Sequence, residues 1–172
     1  MNLRTVLFVL GILLSILGIA MLLPAIFQFY IGENSGNFLT SSFITIFVGM
    51  LLILSNLYSE KRLNLREAFI LTTASWVGVA LFGSFPFFFS DLEMSFSDSL
   101  FESMSGITTT GSTVIANLDI APKGILMWRA LLQWLGGIGV IVMAITILPF
   151  LGVGGMQLFQ IQSASASEKI LP

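Results

Sequence analysis

The sequence predicts an all-α integral membrane protein: an N-terminal pair of transmembrane helices, then one unit in which two further helices flank a re-entrant loop. Three observations lead there. Hydrophobic residues make up 56% of the 172 residues and charged residues only 9%, against about 25% charged in an ordinary soluble domain. Mean hydropathy is +0.98. So few charges cannot clothe a water-soluble core, and lipid is the natural solvent. Four apolar runs, residues 6–29, 38–58, 68–89 and 124–150, each reach the roughly 20 helical residues that a bilayer requires. Between the third and fourth lies a segment too short and too polar to cross.

The first run follows Arg4 and invites comparison with a signal peptide. Its apolar stretch exceeds the roughly 7–15 residues of a signal core, and no small-residue cleavage site follows, so it reads as a retained helix. With the second run it forms an N-terminal pair over residues 1–60. Residues 61–150 form the second unit: outer helix 68–89, short helix about 98–108, loop 109–114 and inner helix 124–150. Residues 151–172, with Ser163, Ser165 and Ser167, read as a polar cytoplasmic linker. Pro24, Pro86 and Pro149 fall near helix ends, where proline is best tolerated.

Charge sets the expected orientation. Glu60, Lys61, Arg62, Arg66 and Glu67 join the second and third runs and form the densest basic cluster, which places that loop in the cytoplasm. Arg4 and Lys169 then fall on the same side, with both termini inside. The opposite side receives Glu33, Asp91, Glu93, Asp98 and Asp119, with Lys123 as its clear basic residue. An acidic outer vestibule concentrates cations, although acidic residues outside a membrane are also commonplace. The net charge of −2, without a basic stripe, gives no footing for nucleic acid. Cysteine and histidine are both absent, which removes disulfides, thiol catalysis, the usual zinc sites and histidine acid–base chemistry.

The segment after the third run carries the chemistry. Ser99 and Glu102 have capping-box spacing, with Asp98 as a further cap candidate. Leu100, Phe101, Met104 and Ile107 recur at helical spacing and predict an apolar face. A helix from about Ser99 to Ile107 covers about 14 Å, half a membrane. Both of its flanks belong on the outer side, so it dips in and returns, or lies flat. What returns is TTTGST, residues 108–113: poor helix formers, small side chains and one glycine free to take positive φ. Irregular backbone at membrane depth survives only when it is buried in protein or lines a cavity. Carbonyls of such a loop can replace the hydration shell of a cation, with the negative end of the short helix aimed at the ion. Such clusters are also ordinary surface turns, and the residues alone leave both readings open.

Two motifs are decoys. GITTTGST, residues 106–113, matches a nucleotide-binding P-loop except that Ser112 stands where the phosphate-binding lysine belongs, and no strand precedes it. Gly152 to Gly155 follow a membrane helix rather than a strand. No nucleophile–base pair is present, so an enzyme is not expected. Arg129, inside the fourth run, is a costly intramembrane charge. It either tunes cation occupancy at the pore wall or pairs with an acid such as Glu102 or Asp98, holding the short helix; the structural reading is preferred. Gly136, Gly137 and Gly139 permit close helix approach. Trp128 and Trp134 suit an interfacial belt or a subunit contact.

Three blocks carry a resemblance: FESMSGITTTGSTV at 101–114, LMWRALLQWLGGIG at 126–139 and LPFLGVGGMQL at 148–158. They resemble the first pore segment of the Trk-type potassium uptake membrane subunit, the TrkH family of the Trk/Ktr/HKT superfamily. The second half of the chain is closely similar; the first half matches in architecture, an extra helix pair being typical of Trk members. The resemblance implies four pore repeats around a pseudo-fourfold axis, a plasma-membrane homodimer and a cytosolic nucleotide-binding regulatory subunit. It implies no cofactor, with K⁺ as the transported ion. It places the filter glycine at Gly111, with carbonyls of Thr109, Thr110, Gly111, Ser112 and Thr113 facing K⁺, Thr109 and Thr110 foremost, and Glu102 and Arg129 supporting the pore helix. The sequence lacks the tyrosine–glycine pair of potassium-channel filters after Gly111, which implies looser selectivity. One unit cannot enclose an ion. The chain therefore reads as the N-terminal portion of a longer transporter, supplying one quarter of the filter, with residues 151–172 leading to the remaining repeats. A homo-oligomeric one-repeat cation channel and a non-conducting membrane scaffold or accessory subunit are the alternatives.

Overall fold

The computed structural model describes residues 3–58 and 65–147. Among the described residues the regular elements are all helical: α1 (Leu3–Ala20), α2 (Leu22–Ile31), α3 (Gly36–Ser55), α4 (Leu65–Gly83), α5 (Phe85–Phe88), α6 (Phe96–Ile107), a 3₁₀ turn (Leu118–Ile120) and α7 (Lys123–Ile147). Four stretches are long and apolar enough to cross a membrane: Leu3–Ile31, Gly36–Ser55, Arg66–Phe88 and Lys123–Ile145. Each predicted apolar run thus returns as one of these four. The basic residues Lys61 and Arg62, with Glu60, lie outside the described residues. So do Pro149, Gly152, Gly155, Lys169 and the whole linker, 151–172. The chain divides after Gly139. In the second unit the described residues, 140–147, are helical; everything below concerns the first.

Two of the spans are interrupted, and proline explains both interruptions. A helical proline donates no hydrogen bond and crowds the carbonyl four residues earlier. Pro24 therefore ends α1 at Ala20, while Met21 N still bonds Leu17 O at 3.1 Å and Ala25 N bonds Met21 O at 3.3 Å, so the next helix continues at once. Pro86 ends α4 at Gly83, and Phe87 N turns to Ser84 O at 3.1 Å. That leaves the Gly83 carbonyl without its helical partner.

Trp128 of α7 takes up this carbonyl, its indole N–H donating at 3.0 Å. The ring is fully buried and meets Phe38 of α3 edge-on, centroids 6.2 Å apart. The interfacial placement expected for Trp128 is therefore corrected: it is a core residue tying α7 to the break in α4. Trp134, by contrast, is 65% exposed. Trp128→Phe keeps most of the packing and strands the Gly83 carbonyl. We expect a loss of about 1–3 kcal/mol, read as a lowered Tm of the detergent-extracted protein.

Around this tie the core gathers Leu14 and Leu17 of α1, Phe38 of α3, Phe87 of α5, and Ile125 and Leu132 of α7. Helices α1 and α3 cross at glycines: a Cβ on Gly11 would sit 2.7 Å from the Gly49 carbonyl oxygen, so backbone touches backbone. Apolar packing gains little between helices solvated by lipid, and small residues that admit such contact hold them instead. The result is a platform of α1, α3 and α4 against which α6 and α7 are set.

Candidate functional site: a half-length helix and the loop it feeds

The α6 helix begins at Phe96, earlier than expected, because Ser95 is its N-cap. The Ser95 hydroxyl oxygen accepts from Asp98 N at 3.1 Å, and the hydroxyl donates to the Asp98 carboxylate at 2.6 Å. The Ser99–Glu102 capping box is thus corrected. Ser99 lies within the first turn and donates to Ser95 O at 2.9 Å, which frees Glu102 for another task.

The buried face is only in part the expected one: Ile107 is in the core and Leu100 packs half-buried against it. Ser99, Glu102, Ser103, Ser105, Gly106 and Ile107 are buried, whereas Phe101 and Met104 are 46% and 37% exposed. Small and polar side chains face the platform because the neighbours come very close. A Cβ on Gly83 would sit 2.7 Å from Ser103 Oγ, and one on Gly106 3.0 Å from Leu132 Cβ. The end of α6 rests on α7: a Cβ on Gly136 would overlap the Ile107 carbonyl oxygen. Gly137 and Gly139 face open space, so of the three glycines expected to admit a neighbour only Gly136 does.

These contacts set a ladder of heights along α7. At 1.5 Å per residue, Arg129 stands about 9 Å and Gly136 about 20 Å from Lys123. The last residue of α6 lies at the level of Gly136. The Arg129 side chain reaches Gly111 and Thr113, Gly111 lies beside the Gln133 side chain as well, and Pro122 precedes Lys123. The chain therefore runs along α7 to its middle as a helix and comes back as a loop.

The turn between the two is a Schellman closure. Thr110 N bonds Ser105 O at 3.1 Å and Thr109 N bonds Gly106 O at 3.0 Å. Its left-handed position, normally glycine, is occupied by Thr109 at φ 58°. A β-branched residue there is a true outlier, with strain on the order of 1–3 kcal/mol of the kind found at binding clamps. Gly111 follows at φ 77°, where glycine is at ease.

A buried ion pair then fastens the returning strand of the loop. Arg129 Nη1 lies 2.6 Å from Glu102 Oε2, the carboxylate side chain being fully buried and the guanidinium 13% exposed. The other carboxylate oxygen accepts from Val114 N at 2.7 Å and from the Thr113 hydroxyl. Arg129 Nη1 also donates to Thr113 Oγ1, and Nη2 to Gly111 O at 3.4 Å. One acid on α6 and one base on α7 thus hold residues 111, 113 and 114 between them. Charge-assisted bonds of this kind are strong and directional. Of the two acids considered for Arg129, Glu102 is the one it meets.

The loop carbonyls divide into two sets. The Ser112 carbonyl accepts the Ser105 hydroxyl at 2.6 Å, and Gly111 O has the long bond from Arg129. The carbonyls of Thr109, Thr110 and Thr113 accept no hydrogen bond among the described residues. Thr109, Thr110, Ser112 and Thr113 are exposed and Gly111 is half-buried, so the loop presents unpaired oxygens on an open face. Ser95 and Ser105 were not singled out in the sequence. The signal for Ser105 was its place on the small-residue side of α6, facing the loop.

Four helices long and apolar enough to cross a membrane, with a half-length helix and a clamped polar loop between the third and fourth, define a multi-pass membrane protein. Residues 34–169 match the TrkH cation transport protein family, and the chain belongs to that family. It is 40% identical to the Trk system potassium uptake protein TrkH of Vibrio parahaemolyticus over 162 residues, 93% of this chain and 33% of that protein. Identity to the protein of the same name from Halomonas elongata is also 40%, covering 93% of this chain and 34% of the relative. An uncharacterized cation transporter of Methanocaldococcus jannaschii is 33% identical over 172 residues, 99% of this chain and 35% of the relative. The crystal structure of the potassium transporter TrkH from Vibrio parahaemolyticus superposes with a TM-score of 0.85 at 38% identity, over 99% of this chain and 37% of that one. The chain spans about a third of the length of these relatives. They are transport proteins rather than enzymes.

Proposed function

We propose that this chain supplies one quarter of a potassium filter and serves potassium uptake across the plasma membrane. The observation that carries the reading is the clamped loop itself. Glu102 and Arg129 hold its rear, while Thr109, Thr110 and Thr113 keep their carbonyls free at its exposed front. Oxygens that are neither hydrogen-bonded nor covered suit a dehydrated cation. Relatives named potassium uptake proteins point to K⁺ as that cation. Gly111 and Ser112 complete the set, each carbonyl oxygen having a second lone pair to offer.

In this reading α6 and the loop are re-entrant, and the exposed Phe101 and Met104 meet neighbouring repeats rather than water. Three further repeats, a homodimer and a cytosolic nucleotide-binding regulatory subunit complete the assembly. Both ends of this segment face the cytoplasm, and Arg129, already neutralised by Glu102, supports the loop without opposing the ion.

This chain has no cysteine of its own, so a single introduced thiol reports on the loop once any cysteines in the remaining repeats are replaced by serine. Thr110→Cys in the intact transporter, in membranes, is exposed to a small impermeant thiol reagent from the outer side. We expect slow modification that K⁺ slows further, at least severalfold relative to choline. Fast modification indifferent to K⁺ would instead favour a surface turn on a non-conducting scaffold.

A further inference from the structure

The last carbonyls of a helix have no partner within it. In α6 the loop's own donors take them. Met104 O accepts Thr108 N at 2.9 Å and the Thr108 hydroxyl at 2.8 Å. Ser105 O accepts Thr110 N at 3.1 Å and Gly111 N at 3.2 Å. A hydroxyl bonded to the carbonyl four residues back is ordinary in a helix. Thr108 has a second contact that is not: its Oγ1 lies 2.9 Å from Thr110 Oγ1. The left-handed Thr109 turns the chain between the two.

Proton counting gives this chain of bonds a direction. A threonine hydroxyl has one proton and two lone pairs. The Met104 carbonyl can only accept, so Thr108 gives its proton there. The bond between the hydroxyls therefore runs one way: Thr110 donates and Thr108 accepts. The chain ends on a carbonyl oxygen that already holds two donors, and it turns the Thr110 proton back toward the end of α6. This is the one bond of the Thr110 hydroxyl among the described residues. Thr108, Thr109 and Thr110 are all exposed, and the carbonyls of Thr109 and Thr110 beside them are unpaired.

Without the Thr108 hydroxyl, the Thr110 proton has no fixed acceptor. The unpaired carbonyls of its own loop then compete for it. A carbonyl that takes the proton is lost to a cation, and a proton turned outward repels one.

We propose that Thr108 is a positioning residue for ion selection: its hydroxyl holds the Thr110 proton against α6 and so keeps the loop's open oxygens for the cation. The inference rests on the reading of the loop as a filter and adds a residue behind it that touches no ion.

The experiment measures K⁺ and Na⁺ uptake by the intact transporter in membranes, with the Tm of the purified protein alongside. Thr108→Val keeps the branched shape and the backbone bond to Met104 O and removes only the hydroxyl. We expect it to fold and insert, and to lose K⁺/Na⁺ preference severalfold. Thr108→Ser keeps the hydroxyl and should restore the parent's preference. Thr110→Val added to Thr108→Val removes the loose proton, so the double variant should discriminate no worse than Thr108→Val alone. Gly111→Ser is the control for the filter itself. Unchanged preference in Thr108→Val while Gly111→Ser shifts it would overturn the inference and leave the filter reading standing; unchanged preference in both would overturn the two together. A Thr108→Ser variant as impaired as Thr108→Val, a double variant impaired by the sum of its parts, or a fall in Tm and total uptake at constant preference would reduce Thr108 to an ordinary helix cap and overturn the inference as well.

Discussion

Glu102→Ala is expected to destabilise the protein by about 3–5 kcal/mol, because it leaves the Arg129 guanidinium largely buried without its counter-charge. It also releases Val114 N and the Thr113 hydroxyl, so the returning strand of the loop loses its anchor on α6. Uptake should fall with stability but further than stability alone explains. Glu102→Gln separates the two effects. It keeps the shape and one acceptor, so we expect a smaller loss of Tm together with a clear loss of cation selectivity. The pair is checked by a double-mutant cycle with Arg129→Gln. The double variant should be more stable than the sum of its parts, by about 0.5–3 kcal/mol, since it leaves no lone buried charge. Strict additivity would show that the two groups do not act together. Arg129→Lys is not conservative here, because a single ammonium cannot span Glu102, Thr113 and Gly111 as the planar fork does.

The second large effect is expected at Gly136. Even alanine there drives a Cβ into the Ile107 carbonyl oxygen, backbone that cannot swing aside as a side chain can. Either α7 moves away from α6 or the Schellman turn opens, and both displace the loop. Overpacking of this kind costs about 1–3 kcal/mol, occasionally more. The internal control is one residue away: Gly137→Ala meets nothing within 4 Å and removes a helical glycine, so Tm should hold or rise slightly. A comparison of the two alanine variants, by Tm and by uptake, checks the close approach of α6 to α7.

Hydropathy alone located the four spans, since length and apolarity dominate a helix solvated by lipid. It did not show where two of them break. Pro24 and Pro86 were visible, but the indole that satisfies the carbonyl freed by Pro86 comes from a helix some forty residues away, as the 45-residue separation of Trp128 and Gly83 shows. The half-length helix was legible in its length and in the glycine after it. Its buried face was legible only in part: Ile107 and Leu100 pack on the core as periodicity suggests, but periodicity also suggests burial of the other large residues. Here Phe101 and Met104 point outward and serines point inward, which only close packing on Gly83 and Leu132 decides. Glu102 reads both as a cap and as a partner for Arg129; the second reading is the one the structure shows, while local spacing could not reveal its bond to the Val114 amide 12 residues away. Thr109 at positive φ was not foreseen either, since propensity argues against a β-branched residue there.

If the Gly111 loop meets the transported ion, as proposed, Gly111→Ser in the intact transporter should alter K⁺ against Na⁺ uptake. Serine at φ 77° is strained, and its Cβ would lie 3.2 Å from Gln133 Nε2. The loop carbonyls should therefore re-aim while the Glu102–Arg129 pair still holds the fold. We expect a protein that is inserted and folded, with a K⁺/Na⁺ preference clearly shifted from that of the parent. Folded protein with unchanged preference and unchanged flux would contradict the proposal.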